Sequence, residues 1–346
     1  MKPASSPAPR VSIVLPNRNH RPFLPERFAS IAAQTLGDWE LIVVDGESSD
    51  GSWEYIQAQA AGDGRIRAFQ AAPRGPYAAW NAGVREARGE FVHIATSDDA
   101  MTPDCLAKLA AALDRHPDCD IAHCQLAIVD AEGRPVEAAR GWRNLPLQRR
   151  TFADWIDRPH LRRHPHDGIL HAATGTVTTS INQLLIRRGV FARAGFFRED
   201  FGVRADFEWG MRASLLHDTI HVPEQLAVWR RHPGQLTRDA EGTTPAAWRE
   251  MAAMVRAAVA AATEAEPGLR VVLDADRLTR PMRHKAMLAE RREGAWRAAQ
   301  WVREPDLIGL DLWHFLGLGR GANAAHLDWI GRELRRRGIP GPEAVD

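Results

Sequence analysis

Lysine is nearly absent from this 346-residue chain, tyrosine occurs twice, and cysteine only three times, at Cys105, Cys119 and Cys124. The cysteines form no CxxC pair. An odd count in so long a chain excludes a disulfide scaffold and fits buried thiols in a reducing compartment. No run of about 20 apolar residues occurs, so no membrane-spanning helix is expected. The opening MKPASSPAPR lacks the apolar stretch of a signal peptide and reads as a disordered tail over residues 1–10. Together these absences predict a cytoplasmic protein. An excess of one charge is missing too: 45 Lys+Arg face 44 Asp+Glu, a formal +1. Nucleic-acid affinity draws on many Lys/Arg–phosphate contacts, so nucleic acid is not an expected partner. No internal repeat is visible, no HExxH helix accompanies the histidines as a zinc cluster would need, and no GxGxxG follows the first strand, which sets aside a dinucleotide-binding dehydrogenase.

What remains is ordinary globular composition, 45% hydrophobic and 26% charged, in a length that suits about two domains. VSIVL (11–15), ELIVVD (40–45), RIRAFQ (65–70), FVHIA (91–95) and IAHCQLAIV (121–129) read as strands. Between them, helical spacing of apolar residues spans 22–34, 52–59, 78–88 and 103–116, with Gly89 as the expected C-terminal stop of the third. Residues 131–180, rich in Arg, His and Pro, read as a loop-rich insertion. INQLLIRR (181–188) reads as a strand, 190–194 and 207–217 as helices, and TIHV and LAVWRRH (219–232) as closing strands. From Thr244 a stripe of Trp248, Met251, Val255 and Val259 marks a helix, with more helices near 284–302 and 322–337, and a boundary near 240.

Alternating strands and helices with short connections argue for parallel βαβ units in an α/β fold. Right-handed crossovers then put every strand's C-terminal end on one edge, where such sheets bind ligands. Asn17, Asp45 and Ser97–Asp99 all lie just past strand ends, so residues far apart in sequence can converge. Asp45 could meet an N–H on a base edge or simply turn the chain. Asp98 and Asp99 could share a divalent cation or cap the helix at Pro103. Asp206 and His232 likewise divide between chemistry and a first-turn or turn role. His160, His164, His166 and His171 read as a His-rich loop rather than a zinc site, able to touch substrate together with Trp142 and Trp155. Residues 270–338 carry a basic excess that suits a solvated face or a peripheral contact with anionic membrane.

In order, SIVLPNRN (12–19), ELIVVDGESSDGSWE (40–54), RGPYAAWNAGVREARGEFV (74–92), SDDAMTPDCL (97–106), AGFFREDFGVRADFEWGMR (194–212) and WRRHPGQLT (229–237) resemble the family 2 glycosyltransferases of the A-type fold, over about residues 11–237. The resemblance implies a GT-A-type nucleotide-sugar-binding domain with a mostly parallel central sheet flanked by helices over 11–240, and a helical C-terminal extension over 241–346. It implies Asp206 as the general base. It further implies Pro16, Asn17, Asn19, Asp45, Ser48, Arg74, Asn81, Ser97 and Asp98 around a nucleotide-sugar donor, most often a UDP-sugar. Asp98, Asp99 and His232 would stand around Mn2+ or Mg2+. Thr96 stands where the family's metal motif has its first Asp, and Ala205 where its Glu-Asp pair has the Glu. The implied reaction is inverting transfer to a glycan, lipid-linked glycan or protein hydroxyl. A homologue that binds nucleotide or glycan without transfer is the alternative those two replacements raise, and a homodimer through the C-terminal helices stays open.

Overall fold

The apolar runs of the first 130 residues are strands, and an amphipathic helix follows almost every one. The computed structural model describes residues 8–136, 152–174, 177–235, 244–289, 331–332 and 334–345. Strands β1 (Val11–Asn17) and β2 (Trp39–Asp45) are buried along their whole length, as strands covered on both faces must be. Between them α1 (Leu24–Ala32) starts with Pro25 in its first turn and buries Leu24, Phe28 and Ile31. Then come α2 (Ser52–Gly62), β3 (Ile66–Gln70), α3 (Pro76–Glu86), β4 (Phe91–Ile94), the two-residue β5 (Ala100–Met101), α4 (Cys105–Arg115) and β6 (Ile121–Val129). The second half contributes β7 (His160–Arg162), α5 (His166–Thr174), β8 (Leu184–Arg187), α6 (Val190–Arg193), α7 (Ala205–Leu216) and β9 (Thr219–Arg230). Helices α8 (Pro245–Ala265) and α9 (Ala275–Ala289) and the short β10 (Glu343–Ala344) follow.

The strands form one sheet in the order β10-β7-β9-β6-β8-β4-β1-β2-β3, with β5 paired to β9. Strands β4, β1, β2 and β3 are parallel neighbours. Strand β8 runs antiparallel to both β4 and β6, so β6 points the same way as β4, and β9 is parallel to β6. Hence β1, β2, β3, β4, β6 and β9 share one direction, which is the mostly parallel sheet expected. Their C-terminal ends bring Asn17, Asp45, Thr96–Asp99, Asp130 and Arg230–His232 to a single edge. Because β8 is reversed, the residues before it, Thr179–Ile181, come to that same edge.

Several local expectations are corrected. Segment 181–188 is not all strand: Ser180 and Gln183 form a capping box around a 3₁₀ turn, and β8 begins only at Leu184. The two closing strands are one, because Pro223 and Glu224 stand out of register in a bulge between Val222 and Gln225, where β6 passes from Cys124 to Gln125. Gly89 does not stop α3, which ends at Glu86; a Cβ there would lie 2.6 Å from the Ser12 amide nitrogen, so glycine lets that turn approach β1. The described part of the 131–180 insertion is packed structure, since His160, Arg162, His166, Asp167 and His171 are all buried. The three cysteines are buried and free, as expected.

Met251, Met254, Val255, Ala258, Val259 and Ala262 form the buried face of α8, which packs on α7. The boundary near 240, Trp142, and most of the segments 284–302 and 322–337 with their basic excess lie outside the described residues. Among the described residues no helix is long and apolar enough to cross a membrane.

Candidate active site

A cleft of about 420 Å³ opens at the C-terminal edge of the sheet. Of the residues singled out in the sequence, Pro16, Asn17, Ser97, Asp98, Asp99 and Asp206 line it. They come from the ends of β1 and β4 and the first turn of α7, which are joined only by the fold.

At one end, the loops after β1 and β2 are tied together through Asp45. This carboxylate is fully buried. Its Oδ1 accepts from the Asn17 amide at 2.8 Å and the Ser48 hydroxyl at 2.6 Å, and its Oδ2 from the Ser48 backbone N–H at 2.9 Å and Gln70 at 3.1 Å. Asn19, in the left-handed region at φ 54°, donates its backbone N–H to Ser48 Oγ and accepts from the Ser49 backbone N–H. Asp45, Asn19 and Ser48 thus brace the end of the cleft instead of lining it. Both Asn17 contacts are made by its amide nitrogen, so Asn17 Oδ1 is a buried acceptor with no partner among the described residues.

At the centre, Asp98 and Asp99 point in different directions. Asp98 Oδ2 lies 3.0 Å from His232 Nε2, and the His232 ring packs on Phe23 at 4.6 Å. Asp99 is turned inward: Oδ1 accepts from the Arg230 backbone N–H at 2.9 Å and Oδ2 from Thr96 at 2.6 Å. Burial, with Asp98 beside it, pushes the Asp99 carboxyl well above the usual range. Neither Asp caps α4, whose N-cap is Asp104. Arg230 holds the turn from below, donating to the Asp98 carbonyl at 3.0 Å and pairing with Glu26 of α1. His232 does not line the cleft, but His20 does; its Nδ1 is 2.6 Å from Ser97 Oγ, and burial lowers its pKa.

At the far end stands Asp206. Its Oδ1 accepts from the Tyr77 hydroxyl at 2.9 Å, and burial pushes its carboxyl up to about 6 against the pull of Tyr77 and of backbone N–H groups. Asn81 and Arg74 stand elsewhere than expected. The Asn81 amide donates to the Phe197 carbonyl at 2.8 Å and accepts from the Phe197 N–H at 2.9 Å, fastening α3 to the segment before α7. Arg74 is an exposed side chain 3.9 Å from Glu199.

Sequence reading missed His20, Tyr77, Trp80, Thr179, Ser180, Trp229 and Gln235, all of which line the cleft. His20 carried a signal, since it follows the β1 end directly in SIVLPNRNH. Tyr77 carried only its place in RGPYAAWN. Of the His-rich segment, His164 pairs with Asp218 at 2.7 Å and the rest are interior; none lines the cleft. Trp155 packs on His160, with ring centroids 5.5 Å apart.

Residues 12–169 match the family model for glycosyl transferase family 2. Over this stretch, a little under half of its length, the chain is similar to the family 2 glycosyltransferases. It is 27% identical over 234 residues to the uncharacterized glycosyltransferase EpsJ of Bacillus subtilis, covering 66% of this chain and 63% of that one, a little under two thirds of the relative's length. It is 28% identical over 226 residues to a PGL/p-HBAD biosynthesis glycosyltransferase of Mycobacterium tuberculosis, covering 62% and 75%. In fold the chain is similar to S. aureus TarS 1–349 in complex with UDP-GlcNAc, with a TM-score of 0.60 at 16% identity over 95% of this chain and 92% of that one. It is also similar to the mannosyltransferase PcManGT from Pyrobaculum calidifontis in complex with GDP-Man and Mn2+, with a TM-score of 0.52 at 18% identity over 94% and 87%. The sheet and flanking helices therefore have the GT-A architecture that the resemblance implied.

Proposed function

We propose that this chain transfers a sugar from a nucleoside-diphosphate donor, in first place a UDP-sugar, to a hydroxyl of a glycan, lipid-linked glycan or protein acceptor, with inversion. One observation carries the reading: Asn17, Asp98 and Asp206, from three distant segments, line one cleft. The orphan Asn17 Oδ1 suits a base that offers an N–H, as the uracil ring does, because a buried acceptor without a donor is costly. The similar structure with UDP-GlcNAc supports the uridine donor, and the PGL/p-HBAD relative supports a role in glycan assembly. Residues 11–240 would form the transferase domain and the helices after 241 an extension that braces α7, where Arg204 pairs with Glu250 of α8 at 2.7 Å.

The residues at the diphosphate position fit a divalent cation in part. Among the described residues no three His, Cys, Asp or Glu side chains converge as a metal cage. Mn2+ or Mg2+ held by substrate phosphates and water needs only one or two protein ligands, and Asp98 with His232 supplies a carboxylate and an imidazole at one point. Asp99 does not fit, since both its oxygens are engaged by Arg230 and Thr96. A cation there would add positive charge opposite the leaving diphosphate. The chain's own part is to hold the donor along the edge of the sheet and to place Asp206 beyond the sugar. The acceptor oxygen bonds to the anomeric carbon as its proton passes to Asp206, and the bond to the diphosphate oxygen breaks, giving inversion. A carboxyl raised to about 6 is a better proton acceptor than one at the usual 4, yet is ionised at pH 7.

Thermal shift with UDP- and GDP-sugars, with and without Mn2+, followed by release of free nucleoside diphosphate, tests the reading. Asp206→Asn is expected to keep the donor-induced shift and lose transfer by at least about 100-fold. Unchanged turnover would remove Asp206 from the mechanism. A donor-induced shift with no nucleotide release from the wild-type protein would favour the binding-only homologue instead.

A further inference from the structure

Tyr77 is one of two tyrosines in the chain, and it is buried at the cleft wall between Trp80 and Phe197, with ring centroids 5.3 and 6.1 Å away. Its hydroxyl is 2.9 Å from Asp206 Oδ1 and equally 2.9 Å from the Val203 carbonyl oxygen. A phenol has one proton to donate, so the two acceptors compete for it. A charged acceptor binds a donor roughly twice as strongly as a neutral one. While Asp206 is a carboxylate, the proton therefore belongs on Oδ1; once Asp206 is neutral, the Val203 carbonyl is the stronger acceptor and takes it.

We propose that Tyr77 is a positioning residue for Asp206 whose hydroxyl turns from Oδ1 to the Val203 carbonyl when Asp206 takes up a proton, leaving Oδ2 as the oxygen presented to the acceptor. This rests on the reading of Asp206 as the base. The arrangement stabilises the ionised base selectively and leaves no buried hydroxyl unpaired after proton transfer, so neither state suffers the cost of an orphan donor. Backbone N–H groups of Asp206 and Phe207 hold the carboxylate from the start of α7, and Tyr77 holds it from α3. The Asn81–Phe197 pair of hydrogen bonds fixes the spacing between those two elements. Charged groups on the surrounding elements are paired among themselves: Arg204 with Glu250 at 2.7 Å, Glu208 with Arg212 at 2.8 Å, and Arg74 with Glu199 at 3.9 Å. Asp98 and Asp99 belong to the centre of the cleft, on the β4 loop. The phenol is thus the side-chain partner through which the titration of Asp206 can be set.

The test is a 13C-carboxyl NMR titration of the full chain and of Tyr77→Phe, with Asp206→Asn identifying the resonance. Phenylalanine keeps the ring and its packing, and an unchanged melting temperature together with native tryptophan fluorescence confirms the fold. Asp206 is expected to titrate near pH 6 in the parent and about one pH unit higher in Tyr77→Phe, the effect of losing a hydrogen bond to a charged group. An unmoved midpoint overturns the proposal, whatever reaction the chain performs. A moved midpoint in a protein that releases no nucleotide from any donor supports the Tyr77–Asp206 linkage and counts against the transfer reading alone. If Tyr77→Phe loses its fold, the 13Cζ resonance of Tyr77 in the parent chain, which senses the acceptor of its hydroxyl, decides: a shift that stays constant while Asp206 titrates overturns the proposal, and one that moves with the Asp206 midpoint supports it.

Discussion

Acidification between pH 6 and pH 4 should unfold this protein steeply, and the cause is a set of imidazoles far from the cleft. His123, His221 and His160 are contributed by β6, β9 and β7 and lie ring against ring, with centroids 4.9 to 5.1 Å apart for neighbouring pairs. Their hydrogen bonds fix the tautomers. His221 Nε2 lies 3.0 Å from the Ile156 carbonyl, which can only accept, so this nitrogen carries the proton and His221 Nδ1 accepts. His123 Nδ1, 3.1 Å from it, must then donate, and His123 Nε2 accepts from the Gln183 amide at 3.2 Å. In the same way His160 Nδ1 donates to the Arg158 carbonyl while its Nε2 accepts from Arg162. Every ring is neutral, and adding a proton to any of them sets two donors against each other.

Burial lowers His93 and His123 to about 3 and His160, His166 and His171 to about 4, and holds His221 well below the usual imidazole range. The unfolded chain binds protons at these six sites near pH 6.5, so the stability is intact above that pH and is lost as pH falls toward 4. Asp99 and Asp206, raised by burial, act in the opposite sense, because the folded state holds their protons more tightly. The net uptake on unfolding at pH 5 is about four protons, a slope of about 5 kcal/mol per pH unit. A domain stable by about 10 kcal/mol at neutral pH loses that stability between about pH 4 and pH 5. Urea melts at half-unit pH intervals, followed by tryptophan fluorescence, measure the slope directly. His123→Gln with His221→Gln should flatten it by about 2.7 kcal/mol per pH unit, two protons' worth. An unfolding free energy that stays constant from pH 7 to pH 5 would refute the neutral-imidazole interior.

Two further outcomes follow from contacts already described. His232→Ala should raise the Mn2+ concentration needed for half-maximal stabilisation in the presence of UDP about 10–100-fold, read by thermal shift, because it removes the imidazole that faces Asp98 at 3.0 Å; an identical Mn2+ titration would take His232 out of the cation site. Gly168→Ala should cost about 1–3 kcal/mol, since a Cβ at this point of α5 would lie 2.5 Å from the Leu215 backbone nitrogen in α7, and backbone cannot move aside as a flexible side chain can. A melting temperature equal to that of the parent chain would show that the two helices separate at no cost.

The halves of the molecule differ in how far their sequence discloses them, for a physical reason. Up to Val129 the longer strands are apolar runs, β-branched in β1 and β2, with helices of clear periodicity between them, and local pattern and tertiary role agree, so Asn17, Asp45 and Asp98 could be placed at strand ends from the sequence. After Asp130 the agreement fails. His160, Arg162, His166 and His171 look like solvent-exposed loop, because the burial of this segment depends on partners contributed by other segments: Thr219 for Asp167 at 3.1 Å, Gln183 for the histidine stack, Asp218 for His164. Nothing local in HLRRHPHDG announces those partners. The same logic divides the site. Asp206 could be found from its surroundings in sequence, whereas Tyr77 gains its meaning only from a carboxylate 129 positions later. Polar residues whose protonation is set by distant partners carry no periodic signal, and the predicted acid limit of the fold and the proposed tuning of the candidate base both rest on such residues. The cleft and the imidazole stack are therefore two uses of one principle, an ionisable group held away from water with its hydrogen bonds complete, and β9 links them: its body carries His221 into the stack, and its last residue, Arg230, holds Asp98 and Asp99 at the cleft.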